Sequence, residues 1–126
     1  MEATKAAMSA IERALSSRSY DVTNELRVHA QIDLALNAAG IAYEREAVLD
    51  TRSRIDFLVG GVGVEVKVDG STPAILRQAA RYIEHERIRA LVLVTTRARH
   101  AQALRSALPA LDASVPCSVV LLRGAL

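Results

Sequence analysis

The fold turns on residues 54–68, RIDFLVGGVGVEVKV, in which two runs of alternating apolar and polar residues flank the pair Gly60-Gly61. A glycine pair between such runs signals a two-residue hairpin turn, because glycine reaches the positive φ of tight hairpins without steric cost. A turn there sets Val59 opposite Val62, Phe57 opposite Val64, Asp56 opposite Glu65, and Arg54 across from Lys67. Ile55, Phe57, Val59, Val62, Val64, Val66 and Val68 then share an apolar face, and Arg54, Asp56, Glu65 and Lys67 share the other.

Outward from the hairpin, Ala42 to Leu49 reads as a preceding strand. Upstream of it, ELRVHAQIDLALNAA (25–39) carries Val28, Ile32, Ala35, Leu36 and Ala39 at helical spacing, with a cap at Thr23 or Asn24 and a stop at Gly40. Residues 2–17 form an alanine-rich helix whose stripe is Ala6, Ala7, Ala10, Ile11, Ala14 and Leu15. Downstream, Gly70 to Pro73 breaks the pattern and Pro73 opens a helix, PAILRQAARYIEHER (73–87), with Ile75, Leu76, Ala79, Tyr82 and Ile83 on its apolar face. Ala90 to Thr95 and Cys117 to Leu122 read as buried strands, separated by a helix from about Ala98 to Leu108. This order predicts one α/β domain with a mixed central sheet flanked by helices on both sides.

The 126 residues suit a single domain, and 51% hydrophobic content with 24% charged residues argues for a packed core and against disorder. A single cysteine, Cys117, excludes an intramolecular disulfide and any four-cysteine zinc or iron–sulfur site, and suits a reducing compartment. No signal peptide or membrane span is read in the chain, so the expected location is the cytoplasm. The formal net charge of +2 is too small to announce a nucleic-acid partner. Its distribution says more: from Arg77 onward the chain carries eight arginines against Glu84, Glu86 and Asp112. Arginine grips phosphate through paired hydrogen bonds, although scattered arginines also serve solubility.

Two carboxylates directly opposite across a hairpin repel, so Asp56 and Glu65 call for a compensating positive charge unless their face is simply solvated. A divalent cation supplies that charge, and one or two carboxylates plus water and phosphate oxygens are the ligands Mg²⁺ accepts. Lys67 points the same way as Glu65 and lies within reach. Metal, carboxylates and lysine together suit phosphodiester hydrolysis, which needs an activated water and a cation for the developing charge.

Asp56, eight intervening residues and Glu65-Val66-Lys67, on a hairpin after an acid-bearing helix and before another helix, resemble the PD-(D/E)xK nuclease superfamily. The resemblance runs from about Asn24 to Thr95 and implies a restriction-endonuclease-like α-β-β-β-α-β core over residues 22–95, with a helical extension at 1–20 and a further helix and strand in 96–126. It also implies that Asp56 and Glu65 bind Mg²⁺ or Mn²⁺ and that Lys67 orients water or neutralises the transition state. Glu25, in the first turn of the second helix, matches a frequent acidic metal ligand of the superfamily, and an acid there is equally explained by the helix dipole. Gln78 and Tyr82 resemble the Gln-x-x-x-Tyr signature of RecB-type nucleases, which places them beside metal and DNA; otherwise Tyr82 is a packed stripe residue and Gln78 an exposed one. Ile55 stands where the superfamily's name-giving proline would be. The compact layout also resembles archaeal-type Holliday junction resolvases, which are dimers. The expected partner is therefore DNA, branched forms included, contacted by Arg54, Arg77, Arg81 and Tyr82, with a likeness to homodimeric enzymes. A RecB-type exonuclease and a non-catalytic nucleic-acid-binding or assembly module are the alternatives.

His29, one turn after Glu25, is either a ligand or proton carrier or a packing residue, whereas His85 and His100 read as basic surface. Glu44 and Glu46 read as a solvated strand face, and Cys117 as a buried strand residue. The glycines of the hairpin are not followed by a helix, which disfavours a phosphate loop. With no Trp, one Phe and three Tyr, stacking readout of single strands is poorly supplied, leaving backbone charge and shape for recognition.

Overall fold

Asn24 opens the long helix before the sheet: its side chain accepts the Arg27 N–H in a computed structural model that describes residues 2–112 and 114–124. The elements are α1 (Glu2–Ser16), α2 (Glu25–Ala38), β1 (Glu44–Val48), β2 (Arg54–Val59), β3 (Val62–Val66), α3 (Thr72–Ile83), β4 (Ala90–Thr95), α4 (Ala98–Ala107) and β5 (Cys117–Leu121). A 3₁₀ turn over Leu108–Ala110 follows α4 where Pro109 prevents its continuation. Helix α2 stops at Gly40, which takes φ +71°, with Ile41 N–H bonded back to the Leu36 carbonyl. Helix α3 begins one residue before Pro73, capped by Ser71, and ends at Ile83 rather than Arg87, because the His85 N–H closes onto the Tyr82 carbonyl in a tight turn.

The five strands lie in sequence order, β1-β2-β3-β4-β5, with β1, β2 and β3 antiparallel to one another and β3, β4 and β5 parallel. Parallel neighbours need crossovers, and α3 and α4 supply them. Two successive crossovers of the same hand, moving in the same direction across the sheet, place both helices on one face. There, Ile75, Ala79, Ile83 and Leu104 pack against Leu58, Leu91, Leu93 and Val119. On the other face Ile11, Leu15, Val28, Ile32 and Leu36 of α1 and α2 pack against Val62, Val64, Val92 and Val94. Strands β3 and β4 are accordingly buried along their whole length, which is why they read as nearly unbroken apolar runs. In α1 the buried stripe is Met8, Ile11, Ala14 and Leu15, whereas Ala6 is exposed, because the three- and four-residue steps from Met8 set the inward face.

The hairpin register is as read: Val59 pairs with Val62, Leu58 with Gly63 and Phe57 with Val64, and Gly60 takes φ +58° in the turn. Two expectations are corrected. Arg54 does not face Lys67; it pairs with Val48 of β1, while the Lys67 N–H bonds the Val94 carbonyl, so the two ends of the hairpin follow different neighbours. Ile55 does not share a face with Phe57 but joins the cluster under α3 and α4. The pleat changes phase between the pairs Arg45–Phe57 and Ala47–Ile55, where Glu46 adopts φ +48°, a left-handed conformation that reverses the alternation as a bulge does.

Gly63 marks the tightest packing on the α3 face. A Cβ there would lie 2.4 Å from Ile55 Cδ1 and 3.0 Å from Ile88 Cδ1. Gly63→Ala is therefore expected to destabilise by about 1–3 kcal/mol through overpacking. Ile55→Val, which deletes the nearest obstructing methyl, costs about 0.5–1.5 kcal/mol alone. The double variant should lose less than the sum in urea unfolding; strict additivity would show that the two sites do not touch.

Candidate active site

Beyond Phe57–Val64 the β2–β3 ladder opens, and the two carboxylates occupy the gap. The Asp56 N–H donates to Glu65 Oε1 at 3.1 Å, and the Val66 N–H donates to Asp56 Oδ2 at 2.8 Å. Each side chain thus replaces a ladder carbonyl for the opposite strand, keeping buried backbone donors satisfied where the strands part. Asp56 Oδ1 accepts no hydrogen bond among the described residues.

Around this pair the segment after β3 and the helices α2 and α3 add further groups. Lys67 Nζ stands 3.3 Å from Glu65 Oε2. The Tyr82 hydroxyl lies 2.9 Å from the same oxygen and 3.0 Å from the Arg54 carbonyl, and Gln78 Nε2 donates to that hydroxyl at 2.9 Å. His29 Nε2, from α2 on the opposite face, is 3.8 Å from Asp56 Oδ2. The i, i+4 spacing of Gln78 and Tyr82 lets one helix face deliver both groups to one point.

Glu65 is 4% exposed, and burial, then the neighbouring Asp56 charge, push its pKa up to about 7 against the opposing pull of Lys67. Burial and the adjacent Glu65 raise the Tyr82 hydroxyl well above its ordinary range, so it remains a donor. Two facing carboxylates with one lysine leave uncompensated negative charge when both are ionised, a deficit that a divalent cation would relieve. Asp56 and Glu65 are the residues that would hold it, with the unused Oδ1 of Asp56 available. Among the described residues no group of three or more His, Cys, Asp or Glu side chains is arranged around a common metal position.

The structure therefore brings Asp56, Glu65, Lys67, Gln78, Tyr82 and His29 together. Glu25 and Arg77 are exposed and make no hydrogen bond to the cluster among the described residues. Tyr82 is 3% exposed with its hydroxyl turned inward, while Arg54 and Arg81 line a cleft beside it. Glu44 and Glu46 are exposed; Arg87 Nη2 donates to Glu44 at 3.1 Å, and Arg54 stands 3.8 Å from Glu46. Cys117 is half-buried rather than enclosed, and burial raises its thiol to about 11, which leaves it unreactive.

Both distal histidines depart from the surface reading. His85 Nε2 meets the Leu49 carbonyl at 2.5 Å, tying the turn after α3 to the β1–β2 loop, and His100 Nδ1 is buried without a hydrogen-bond partner among the described residues. Arg52 and Ser53 of that loop escaped the sequence reading, since an arginine in a polar turn carries no periodic signal. No described helix is long and apolar enough to cross a membrane. A scan against protein-family models, a search of curated proteins and a search of solved structures each return no match.

Because Glu65 has a higher pKa folded than unfolded, the folded chain binds more protons than the unfolded chain between about pH 4.5 and 7. Its contribution to stability is complete below that window and declines as pH rises through it, by up to roughly 1–3 kcal/mol for a group this buried. In thermal melts without divalent ions, Tm should fall from pH 5 to pH 8, and Glu65→Gln should flatten that decline; an unchanged slope in the variant would assign it to other groups.

Proposed function

We propose that this chain is a metal-dependent nuclease with a restriction-endonuclease-like core, hydrolysing phosphodiester bonds of DNA. The observation that carries the reading is the interlocked Asp56–Glu65 pair with Lys67 Nζ 3.3 Å from Glu65 Oε2, set where the hairpin ladder splits. In this reading Asp56 and Glu65 hold Mg²⁺ or Mn²⁺, and Glu25, exposed and apart from the cluster, takes no part. The ion would supply charge neutralisation at the phosphate and a lowered pKa for an attacking water. Water adds to phosphorus, the bond to one ester oxygen breaks, and the departing oxygen takes up a proton, leaving a phosphomonoester and an alcohol.

Lys67, with its side chain only 24% exposed, is placed to orient that water or to neutralise the phosphoryl oxygens as charge builds. Tyr82 holds the Glu65 carboxylate in place, and Gln78 holds Tyr82. His29 stands beside Asp56 and can carry a proton to or from that edge of the site. Branched DNA such as a Holliday junction is the proposed substrate, which a homodimer would engage with two such centres. The bonded Gln78–Tyr82 pair favours a RecB-type exonuclease as the alternative within the same chemistry.

A non-catalytic nucleic-acid-binding or assembly module is the second reading, in the cytoplasm as in the first. It is favoured by the structural task both carboxylates already perform, since each accepts a backbone N–H of the other strand. Labelled four-way junction, linear duplex and single-stranded DNA, each with Mg²⁺, Mn²⁺ or chelator, separate the readings. The nuclease should cut only with metal, and Lys67→Ala and Asp56→Ala should lower the rate by about a hundredfold or more while DNA binding persists. A need for free ends would identify the exonuclease, and intact DNA in every lane would leave the module.

A further inference from the structure

We propose that the cleft between the β1–β2 loop and α3 is a phosphate seat, in which Arg52, Arg54 and Arg81 receive a backbone or terminal phosphate of the nucleic-acid strand being cut. The inference rests on the nuclease reading for the identity of its ligand, and on the cleft itself for its chemistry. Arg52, Ser53, Arg54, Gln78, Arg81 and Tyr82 line it, three arginines with no acidic residue among them.

Those cations are poorly neutralised by the protein. Arg52 and Arg81 form no ion pair among the described residues, and Arg54 has only Glu46 at 3.8 Å, both side chains being 62% exposed. So open a contact offsets little of the repulsion. Asp50 and Glu84 line the wider cleft that continues past Arg52 and Arg81, outside the part where the three arginines meet, and neither forms an ion pair with them among the described residues. The arginine-lined part measures about 230 Å³. That is below the roughly 300–1,000 Å³ of pockets that enclose whole small molecules, and it suits one compact, doubly hydrogen-bonding anion.

The loop that presents Arg52 is built in advance of any ligand. Leu49 and Asp50 N–H groups both bond the Ser53 carbonyl, at 2.8 and 3.3 Å. His85 holds the Leu49 carbonyl and Arg87 Nη1 holds the Val48 carbonyl at 2.9 Å, so the loop is pinned to the end of α3 from which Arg81 projects. The backbone that carries Arg52 is thus fixed beforehand, so binding orders its side chain alone and not the loop. Gln78 and Tyr82 form the wall shared by the cleft and the carboxylate cluster, so a strand with one phosphate at Asp56, Glu65 and Lys67 would offer a neighbouring phosphate to the seat.

The test measures binding without cleavage, by fluorescence anisotropy in chelator, of a short DNA oligonucleotide carrying a 5′-phosphate or a 5′-hydroxyl. Arg52→Ala and Arg81→Ala should each weaken binding about three- to tenfold and lower the magnitude of the log K against log salt slope by about 1 between roughly 50 and 200 mM salt. Arg89→Ala, at the opposite end of the sheet, should leave the slope unchanged. Loss confined to the phosphorylated oligonucleotide assigns a terminal phosphomonoester, and equal loss with both assigns an internal phosphodiester. Wild-type affinity and slope in Arg52→Ala, or no binding by the wild-type chain, would overturn the seat. A lowered slope in Arg52→Ala together with no cutting by wild type in Mg²⁺ or Mn²⁺ would uphold the seat and refute the nuclease reading.

Discussion

A carboxylate on a strand covered on both faces is the constraint from which the rest of this architecture follows. Glu65 lies in β3 between helices above and below, and an unpaired charge there would cost several kcal/mol. It is tolerated because three donors converge on it from three elements: the Asp56 N–H from β2, the Tyr82 hydroxyl from α3 and the Lys67 ammonium from the residues after β3. Supplying them requires β2 to leave the ladder at Asp56. Beyond the change of pleat opposite Glu46, Ile55 faces α3, and the Arg54 carbonyl comes within 3.0 Å of the Tyr82 hydroxyl.

The same arrangement stores unfavourable electrostatics at one end of the sheet. Asp56 and Glu65 repel, Glu65 responds with a raised pKa, and Glu46, level with Asp56 on the neighbouring strand, holds a left-handed backbone conformation. Strain and perturbed titration of this kind concentrate where a protein binds or reacts, because neither serves stability. A few residues away, Arg52, Arg54 and Arg81 line one cleft, with Glu46 beside Arg54 as their single ion-pair partner among the described residues. The two groups of charges have opposite sign and adjoin through Tyr82 and Gln78.

Element order and hairpin register were legible in the sequence because they depend on local rules. Gly60 reaches positive φ, Asn24 caps, Pro73 sits at a helix start, Gly40 terminates, and the alternation of valines sets pairing; each acts within a few residues of its own position. The pairing of Asp56 with Glu65 followed from the same arithmetic, and so did the placement of Lys67 on the Glu65 side. The face of Ile55 was misjudged because strict alternation presumes an unbroken pleat, and the break originates in β1, at a glutamate with no sequence signature of a bulge.

By itself, then, the sequence determined which segments are strands and helices, how the hairpin pairs and which two carboxylates meet, since turn chemistry and side-chain periodicity are short-range properties of the chain. Only the tertiary structure decided that Tyr82 is spent on Glu65, that His29 reaches Asp56 from the other face, and that Arg52 joins Arg81 in one cleft. Those groups are 17, 27 and 29 positions apart in the chain. Their meeting depends on how α2 and α3 cross the sheet, which is set by packing of whole faces and not by any residue's neighbours in sequence.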